Sequence, residues 1–350
     1  MTSVLVTGGA GYIGSHTVLE LTKQNRSVVV LDNLSTGHRE AVSGVSFYEG
    51  DIADAALVKA IIKHHDVDAV IHFAAKSLVS ESIEKPEIYF RENTLKSCAF
   101  FETAIKEGVN NIVFSSTAAV YGIPEKAPIK EAAPLSPVNP YGESKLMIEK
   151  YLHWVGKTHG VKWAALRYFN AAGAALNGAI GEDHDPESHL IPLVLQTALG
   201  QRKQLSIFGE DYSTPDGTCI RDYIHVLDLA SAHLAALDGL YEDRLKQNVY
   251  NVGTGAGHSV KEIIETAENM TERSIAAKTD ERSSGRSASA GGGQPDTDGR
   301  YRMEAAIQRF ANHHSKRMAM AQSASGRFLR FAYFPRGRQG SVPAAAPTFG

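Results

Sequence analysis

The chain has 350 residues, of which 43% are hydrophobic and 21% charged, and its formal net charge is −3. This length and composition suit an α/β enzyme with one large or two modest domains, and they offer no broad basic surface for nucleic acid. No apolar run approaches the roughly 18 residues that span a membrane, and the first predicted strand begins at Ser3, so we expect a cytoplasmic protein without a signal peptide. Cys98, Cys219 and the fourteen histidines show no disulfide or metal-ligand spacing, so we predict no metal site.

The first predicted elements are a strand, a glycine-rich turn and a helix. Val4-Leu5-Val6 forms the strand, glycines follow at positions 8, 11 and 14, and helical spacing begins by Val18. Such a turn brings backbone N–H groups and a helix N-terminus against a pyrophosphate, and glycine is needed where a side chain would block that approach. The sequence therefore predicts a dinucleotide site here.

A second strand, at residues 28–31, ends on Asp32, eighteen residues after Gly14. In dinucleotide-binding folds a carboxylate at this place accepts hydrogen bonds from the adenosine ribose. It also repels a 2′-phosphate. We therefore predict NAD rather than NADP as the cofactor.

Strands and helices then alternate up to about residue 170. Strands are predicted at 45–52, 69–75, 111–117 and 163–170, and helices at about 56–63, at about 88–107 and around Tyr141. This alternation indicates a Rossmann-type, doubly wound parallel sheet covered by helices on both faces, and such sheets bind ligands beyond the carboxyl ends of their strands. The candidate residues at these ends are Asp51, Phe73, Ala74, Ala75, Ser115, Thr117 and Asn170.

Tyr141 and Lys145 lie four residues apart in the run Asn139 to Lys145, so on a helix they share one face. A phenol is a poor base at its ordinary pKa of about 10, but a nearby positive charge favours the phenolate and lowers that pKa. The pair predicts acid/base chemistry on a hydroxyl or a carbonyl.

With these residues in place, residues 1–282 resemble the extended short-chain dehydrogenase/reductase family, and within it the enzymes that epimerise UDP-sugars at carbon 4. The motifs that carry the resemblance are the glycine turn, Asp32-Asn33-Leu34-Ser35, Asp51-Ile52, His72-Phe73-Ala74-Ala75, the run from Phe114 to Gly122, Asn139 to Lys145, Arg167-Tyr168-Phe169-Asn170 and Arg221 to Val226. The resemblance implies an NAD-binding Rossmann domain over 1–170, a smaller α/β substrate domain over 171–282, and a homodimer.

The same resemblance implies an activity and the residues that perform it. The expected reaction is the reversible 4-epimerisation of UDP-glucose and UDP-galactose through a 4-keto sugar, with Tyr141, Lys145 and Thr117 as catalytic residues. The implied cofactor contacts are Gly8, Gly11, Tyr12, Ile13, Gly14, Asp32, Asn33, Leu34, Ser35, Asp51, Ile52, Phe73, Ala74, Ala75, Asn93, Thr117, Tyr141, Lys145 and Phe169. The implied contacts to the UDP-sugar are Asn170, His189, Leu190, Ser206, Ile207, Phe208 and Arg221.

Three other functions compete with this interpretation. A nucleotide-sugar 4,6-dehydratase would carry Asp-Glu directly after Thr117, where this chain has Ala118-Ala119. A UDP-glucuronate 4-epimerase, or another UDP-sugar epimerase, remains open because the sugar-facing loops cannot be identified from one sequence. An NAD-binding sensor or scaffold is disfavoured by the intact Tyr141, Lys145 and Thr117.

The character of the chain changes after Arg282. Residues 283–350 begin with a low-complexity run and carry a net charge of +7, against −10 for residues 1–282. This pattern predicts a disordered basic tail. We favour the hypothesis that it is the family's C-terminus read one nucleotide out of frame, because that shift turns the codons of Met303, Met318 and Met320 into tryptophan codons at the family's spacing. An inactive frameshifted product is the corresponding alternative.

Overall fold

The computed structural model describes residues 2–124 and 127–281, together with the backbone of residues 289–290. Its strands, in chain order, are β1 (Ser3–Thr7), β2 (Val28–Asp32), β3 (Ser46–Glu49), β4 (Val67–His72), β5 (Asn111–Thr117), β6 (Lys162–Tyr168), β7 (Asn170–Ala172), β8 (Leu205–Phe208), β9 (Ile220–His225), β10 (Val249–Val252), β11 (Gly257–Ser259), β12 (Ala277–Asp280) and β13 (Ser289–Ala290). Seven of them form one parallel sheet in the order β10-β6-β5-β4-β1-β2-β3.

The helices of the described residues are α1 (Tyr12–Lys23), α2 (Ala55–His65), α3 (Val79–Glu84), α4 (Pro86–Tyr89), α5 (Lys96–Lys106), α6 (Pro140–His159), α7 (Leu190–Ala198), α8 (Val226–Tyr241) and α9 (Val260–Thr271). Short 3-10 turns occupy Arg39–Val42 and Ala118–Tyr121. None of these helices is long and apolar enough to cross a membrane.

Helices cover both faces of the seven-stranded sheet. One apolar cluster joins its strands to α1 and α8, and a second joins them to α2, α5 and α6. The central strands are buried from end to end, which explains why their sequences are continuous apolar runs rather than alternating ones. The predicted Rossmann-type fold class is therefore confirmed.

The helix predicted at about 88–107 is interrupted by a wider turn. Between α4 and α5, residues Phe90–Leu95 form a π-helical segment, and the backbone stays helical from Pro86 to Lys106. Such segments occur where one extra residue is accommodated within a helix, frequently at functional sites.

The later part of the chain forms smaller sheets. β9 pairs with β7, β11 and β13, and β8 pairs in parallel with β12. Helices α7 and α9 contribute to an apolar cluster with β8, and α9 begins with a capping box formed by Ser259 and Glu262. These elements come after β6 in the chain.

The later elements do not all belong to the smaller sheets. α8 packs on the seven-stranded sheet, and β10 extends that sheet beside β6. The division at residue 170 remains a prediction, but the chain returns to the larger layer after it. The tail predicted at 283–350 lies outside the described residues, apart from the backbone of β13, which pairs with Ile220 and Arg221.

Candidate active site

The glycine turn lies between β1 and α1, packed against the end of β4. Gly8 has a φ of +67°, and a Cβ on it would lie 2.5 Å from the backbone nitrogen of Ala74. A Cβ on Gly14 would lie 2.2 Å from the carbonyl oxygen of Gly8. Both positions therefore require glycine. Gly11 is the N-cap of α1 and no side chain caps that helix, which leaves its N-terminus suited to an anion.

Asp32 lies at the carboxyl end of β2, beside this turn. Its carboxylate accepts hydrogen bonds from the backbone N–H groups of Ala10, at 2.9 Å, and Leu34, at 2.8 Å. Burial raises the pKa of Asp32, while the two backbone hydrogen bonds oppose that rise. Asn33 caps the same bend by accepting from the N–H of Ser35 at 3.1 Å. The carboxylate is thus fixed next to the turn, as a ribose contact requires.

The ends of the neighbouring strands close around the turn. The N–H groups of Phe73 and Ala74 both donate to the carbonyl of Thr7, at 2.9 and 3.1 Å. After β3, Asp51 pairs with Lys96 at 2.5 Å and accepts from the N–H of Ala53, and the pKa of its carboxyl is lowered by Lys96 despite partial burial. Ile52 is buried and Ala75 follows Ala74 along the same edge.

Asn93 lies in the π-helical segment and is fully buried. Its side-chain oxygen accepts from the backbone N–H of Lys76 at 2.8 Å, and its amide donates to the carbonyl of Lys76 at 3.0 Å and to Ser144 at 3.1 Å. This pair of bonds to one residue fixes the backbone just after Ala75. Asn93 thus connects the predicted cofactor edge to the helix that carries Tyr141.

Tyr141 and Lys145 occupy the first turns of α6, one turn apart, and both are buried. Asn139 caps this helix by accepting from the N–H of Gly142 at 2.8 Å. The Lys145 ammonium donates to the carbonyl of Ser115 at 2.9 Å and lies 4.9 Å from the centre of the Phe114 ring. The two side chains therefore share one buried face, as the spacing predicts.

The direction of the Tyr141 shift differs from the sequence expectation. Burial raises the pKa of Tyr141 to about 12, and a hydrogen bond with Thr117 opposes the rise. Burial also lowers the pKa of Lys145 to about 7, against the attraction of Glu149. The expected lowering of the phenol pKa is thus not found in the protein alone, because the loss of hydration on burial outweighs the hydrogen bond with Thr117.

Thr117 ends β5, and its hydroxyl accepts from the N–H of Ala119 at 3.1 Å. Ser115 and Tyr168 also lie in this region, and the sequence analysis assigned neither of them a role. The hydroxyls of Ser115 and Tyr168 are 2.6 Å apart, and burial, together with the nearby Tyr141, raises the pKa of Tyr168. Their signal was only their place at the ends of adjacent strands. Phe169 follows β6 directly and packs near Gly253.

The predicted contacts to the UDP-sugar lie on the smaller sheets and the loop before α7. Asn170 begins β7 and donates to the carbonyl of Asp222 at 2.9 Å, and Arg221 lies on the paired strand β9. Ser206, Ile207 and Phe208 lie on β8, where the Phe208 side chain is exposed. Leu190 begins α7 and packs in the same apolar cluster as Ile207. His189 is the N-cap residue of that helix.

His189 belongs to a cluster that sequence reasoning missed. Its Nδ1 lies 2.8 Å from Glu182 and 3.0 Å from Glu187, and these carboxylates raise its pKa to about 10 against the effect of burial. His184 lies beside the same two carboxylates. The sequence analysis did not single out the Glu and His residues at 182, 184, 187 and 189 as a group.

The residues of the larger sheet fit a dinucleotide. The turn leaves a cradle that a Cβ on Gly8 or Gly14 would fill, α1 presents an uncapped N-terminus, and Asp32 is held at the end of β2. Tyr141 and Lys145 lie further along the same edge, next to the ends of β5 and β6. An acid/base pair is thereby combined with a site for a redox cofactor.

A model of the NAD dependent epimerase/dehydratase family matches residues 4–253. A UDP-glucose 4-epimerase from Halalkalibacterium halodurans is 54% identical over 82% of this chain and 86% of its own length. One from Streptococcus mutans is 51% identical over 81% of this chain and 86% of its own.

Solved structures that are similar to this chain are also UDP-glucose 4-epimerases. The chain is similar to UDP-glucose 4-epimerase from Brucella ovis in complex with NAD, at 44% identity and a TM-score of 0.81, over 84% of this chain and 90% of that one. It is also similar to UDP-glucose 4-epimerase from Bifidobacterium longum in complex with NAD+ and UDP, at 38% identity and a TM-score of 0.79, over 86% and 92%.

Proposed function

The chain belongs to the NAD dependent epimerase/dehydratase family, and we propose that it catalyses the reversible 4-epimerisation of UDP-glucose and UDP-galactose with tightly bound NAD. One observation carries the proposal. The phenol of Tyr141 is buried against Thr117, one helical turn from Lys145, at the edge of the sheet where the glycine turn and Asp32 form a dinucleotide cradle.

In the proposed reaction, bound NAD would supply a reversible hydride acceptor for carbon 4 of the sugar, and the glycine turn and Asp32 would hold it. Tyr141 takes the proton from the 4-hydroxyl in the forward half and gives it back in the return half. Thr117, which already bonds the phenol, holds the reacting oxygen. No net oxidation results, because each half of the reaction reverses the other.

Lys145 has two tasks in this scheme. It would hold the ribose of the cofactor, and its charge would favour the phenolate of Tyr141. Because burial raises the pKa of Tyr141 to about 12, the phenol needs nearby positive charge to act as a base, and Lys145 is the cationic side chain one helical turn away.

We assign the remaining predicted residues to the two ligands. The dinucleotide would contact the glycine turn, the bend after Asp32, the ends of β3 and β4, Asn93 and Phe169. The UDP group would contact Asn170, His189, Leu190, Ser206, Ile207, Phe208 and Arg221. Support for the second set is their position on β7, β8, β9 and the start of α7, and the suitability of the Arg221 guanidinium for a pyrophosphate.

Purified protein should convert UDP-galactose to UDP-glucose, and Tyr141→Phe should lower kcat by about 10²–10⁴-fold, the range of general acid/base catalysis. Tyr48→Phe is the matched control, because it removes a phenol hydroxyl on the edge strand β3 that bonds His65 rather than any of the predicted catalytic residues. Bound NAD without any turnover of UDP-galactose would favour the sensor or scaffold. Preferential turnover of UDP-galacturonate would favour the uronate epimerase.

We also propose a cytoplasmic homodimer. Helix α6 exposes Trp154 and Met147, and Leu95 is exposed at the start of α5, so these neighbouring helices present apolar side chains to solvent. Sedimentation equilibrium should give twice the mass of the chain. Replacing Trp154 and Leu95 by polar residues should lower the dimer fraction, and an unchanged mass would contradict this interface.

A further inference from the structure

A second group of charged side chains lies in the loop before α7. Glu182, His184, Glu187 and His189 each offer one imidazole nitrogen or carboxylate oxygen, and these four atoms lie within 4.8 Å of one another. Glu182 is only 2% exposed. Nothing in the proposed hydride and proton transfers requires two carboxylates and two imidazoles at one place.

The distances between the four groups are close to those between the ligands of one metal ion. His189 Nδ1 lies 2.8 Å from Glu182 Oε1 and 3.0 Å from Glu187 Oε1. His184 Nδ1 lies 3.3 Å from Glu182 Oε1 and 3.9 Å from Glu187 Oε2. Ligand atoms around a tetrahedral ion with bonds of about 2.0–2.2 Å lie roughly 3.3–3.6 Å apart. Small side-chain rotations would therefore place all four atoms around one ion.

Hydrogen bonds satisfy the cluster only in part. His189 Nδ1 bonds Glu187 and also lies 2.8 Å from Glu182 Oε1, so two carboxylates share one imidazole nitrogen. His184 Nδ1 is buried and forms no hydrogen bond with the described residues, although it lies 3.3 Å from Glu182 Oε1. A buried carboxylate is costly unless it is paired with good geometry or coordinates a metal. One cation at the centre of the cluster would contact both carboxylates and both imidazoles.

We propose that Glu182, His184, Glu187 and His189 form a structural site for a divalent first-row transition metal, with Zn²⁺ as the best match. Imidazole nitrogens favour such metals over Mg²⁺ and Ca²⁺, which take oxygen ligands. Two imidazoles and two carboxylates complete a four-coordinate shell and leave no position open for a reacting water. The site is therefore structural rather than catalytic.

The metal would fasten the loop onto the glycine turn. The ring of His184 lies edge-on to that of Tyr12, with centres 6.1 Å apart, and His38 bonds the carbonyl of Asp183 at 3.0 Å. Tyr12 in turn donates to the carbonyl of Gly173 at 2.7 Å. An ion between residues 182 and 189 would thus stabilise the contact between the loop before α7 and helix α1.

The test uses the full chain after treatment with a chelator, and it does not depend on enzyme activity. Titration with ZnCl₂ in a calorimeter should show one site per chain, and added Zn²⁺ should raise Tm. Co²⁺ should give the visible absorption of a tetrahedral complex. Glu187→Gln and His184→Ala should each weaken Zn²⁺ binding by about 100-fold or more, since loss of even an outer partner costs 10–100-fold.

The control is His64→Ala with His65→Ala, which removes an adjacent pair of histidines outside the cluster. This variant should bind Zn²⁺ as the wild type does. Absence of stoichiometric binding by the wild-type chain would overturn the proposal, and so would binding that is lost in the control but kept in Glu187→Gln. The titration of the wild-type chain decides whether the site binds Zn²⁺, so this result stands even if a variant fails to fold.

Discussion

In the seven-stranded layer an ion pair is buried inside the structure, whereas in the smaller sheets many polar side chains lie at caps and half-exposed bends. Arg167 and Glu149 form a bidentate pair at 3% and 4% exposure, with Ser116 and Tyr121 completing the network. In the smaller sheets, β12 is mostly exposed and β9 alternates, although Asp222 on β9 is buried. The larger layer thus depends on a buried charged pair, and the smaller sheets on an apolar cluster with local polar contacts around it.

The strongest test of this comparison is the buried pair itself. Arg167→Met leaves the Glu149 carboxylate without its main partner, and we expect a loss of about 3–5 kcal/mol in the free energy of unfolding. Urea denaturation measures it. The double variant Arg167→Met with Glu149→Leu should recover much of this loss, since no buried charge then remains. Equal losses in the single and double variants would mean that packing, not charge, makes the pair important.

Acid should weaken the larger layer through its buried histidines. Burial lowers the pKa of His233 on α8 to about 4, below its ordinary 6.5, and its Nε2 has no hydrogen-bond partner among the described residues. Between pH 6.5 and 4 the unfolded state therefore binds a proton that the folded state does not, so stability falls as pH falls. The slope is about 1.4 kcal/mol per pH unit for one proton.

His233→Leu should reduce that slope by about one proton, as measured by urea midpoints at pH 6.5, 5.5 and 4.5. His258→Leu is the control, because His258 is exposed. An unchanged slope in His233→Leu would show that His233 is not among the groups that bind protons on unfolding.

The glycine turn should accommodate a methyl group at position 11 but not at position 14. A Cβ on Gly14 would lie 2.2 Å from a backbone oxygen, so Gly14→Ala should cost about 1–3 kcal/mol and lower the NAD content of the purified protein. A Cβ on Gly11 would meet the same oxygen at 3.4 Å, an ordinary contact, so Gly11→Ala should leave stability near that of the wild type. Equal losses of stability would place the constraint on the backbone dihedrals instead.

The smallest effect is expected at the cap of α9. Ser259 accepts from the N–H of Glu262 at 3.1 Å and donates to Asp216, so Ser259→Ala should cost about 1 kcal/mol. Ser274→Ala, at an exposed position, should cost less than 0.5 kcal/mol, which is about the limit for ordinary surface changes. A loss at Ser259 as large as that at Arg167 would break the comparison between the two regions.

What the sequence predicted well depends on contacts between near neighbours. The strand, turn and helix at the glycine motif and the shared face of Tyr141 and Lys145 both follow from local spacing. The return of β10 to the larger sheet does not, because it depends on a pairing with β6 across 80 or so residues that no local pattern reveals.

Two electrostatic features of the candidate site could not be predicted from the sequence. The pKa of Tyr141 is set first by burial, which a sequence does not report quantitatively. The cluster at residues 182–189 arises because a loop without helical or strand periodicity turns four side chains toward one point. The site roles of individual residues stay predictions, which the Tyr141→Phe and Zn²⁺ experiments address.

The π-helical segment constrains how many residues lie between Asn93 and Ser97, rather than which residues they are. Asn93 faces Lys76 and Ser144, while Ser97, in the following turn, faces His72 at 2.9 Å. Removing one residue between them would restore α-helical winding and rotate one side by about 100° relative to the other. Asn93 and Ser97 could not then both reach their partners. Homologues that keep both contacts should therefore preserve the number of residues across this segment even where its side chains diverge.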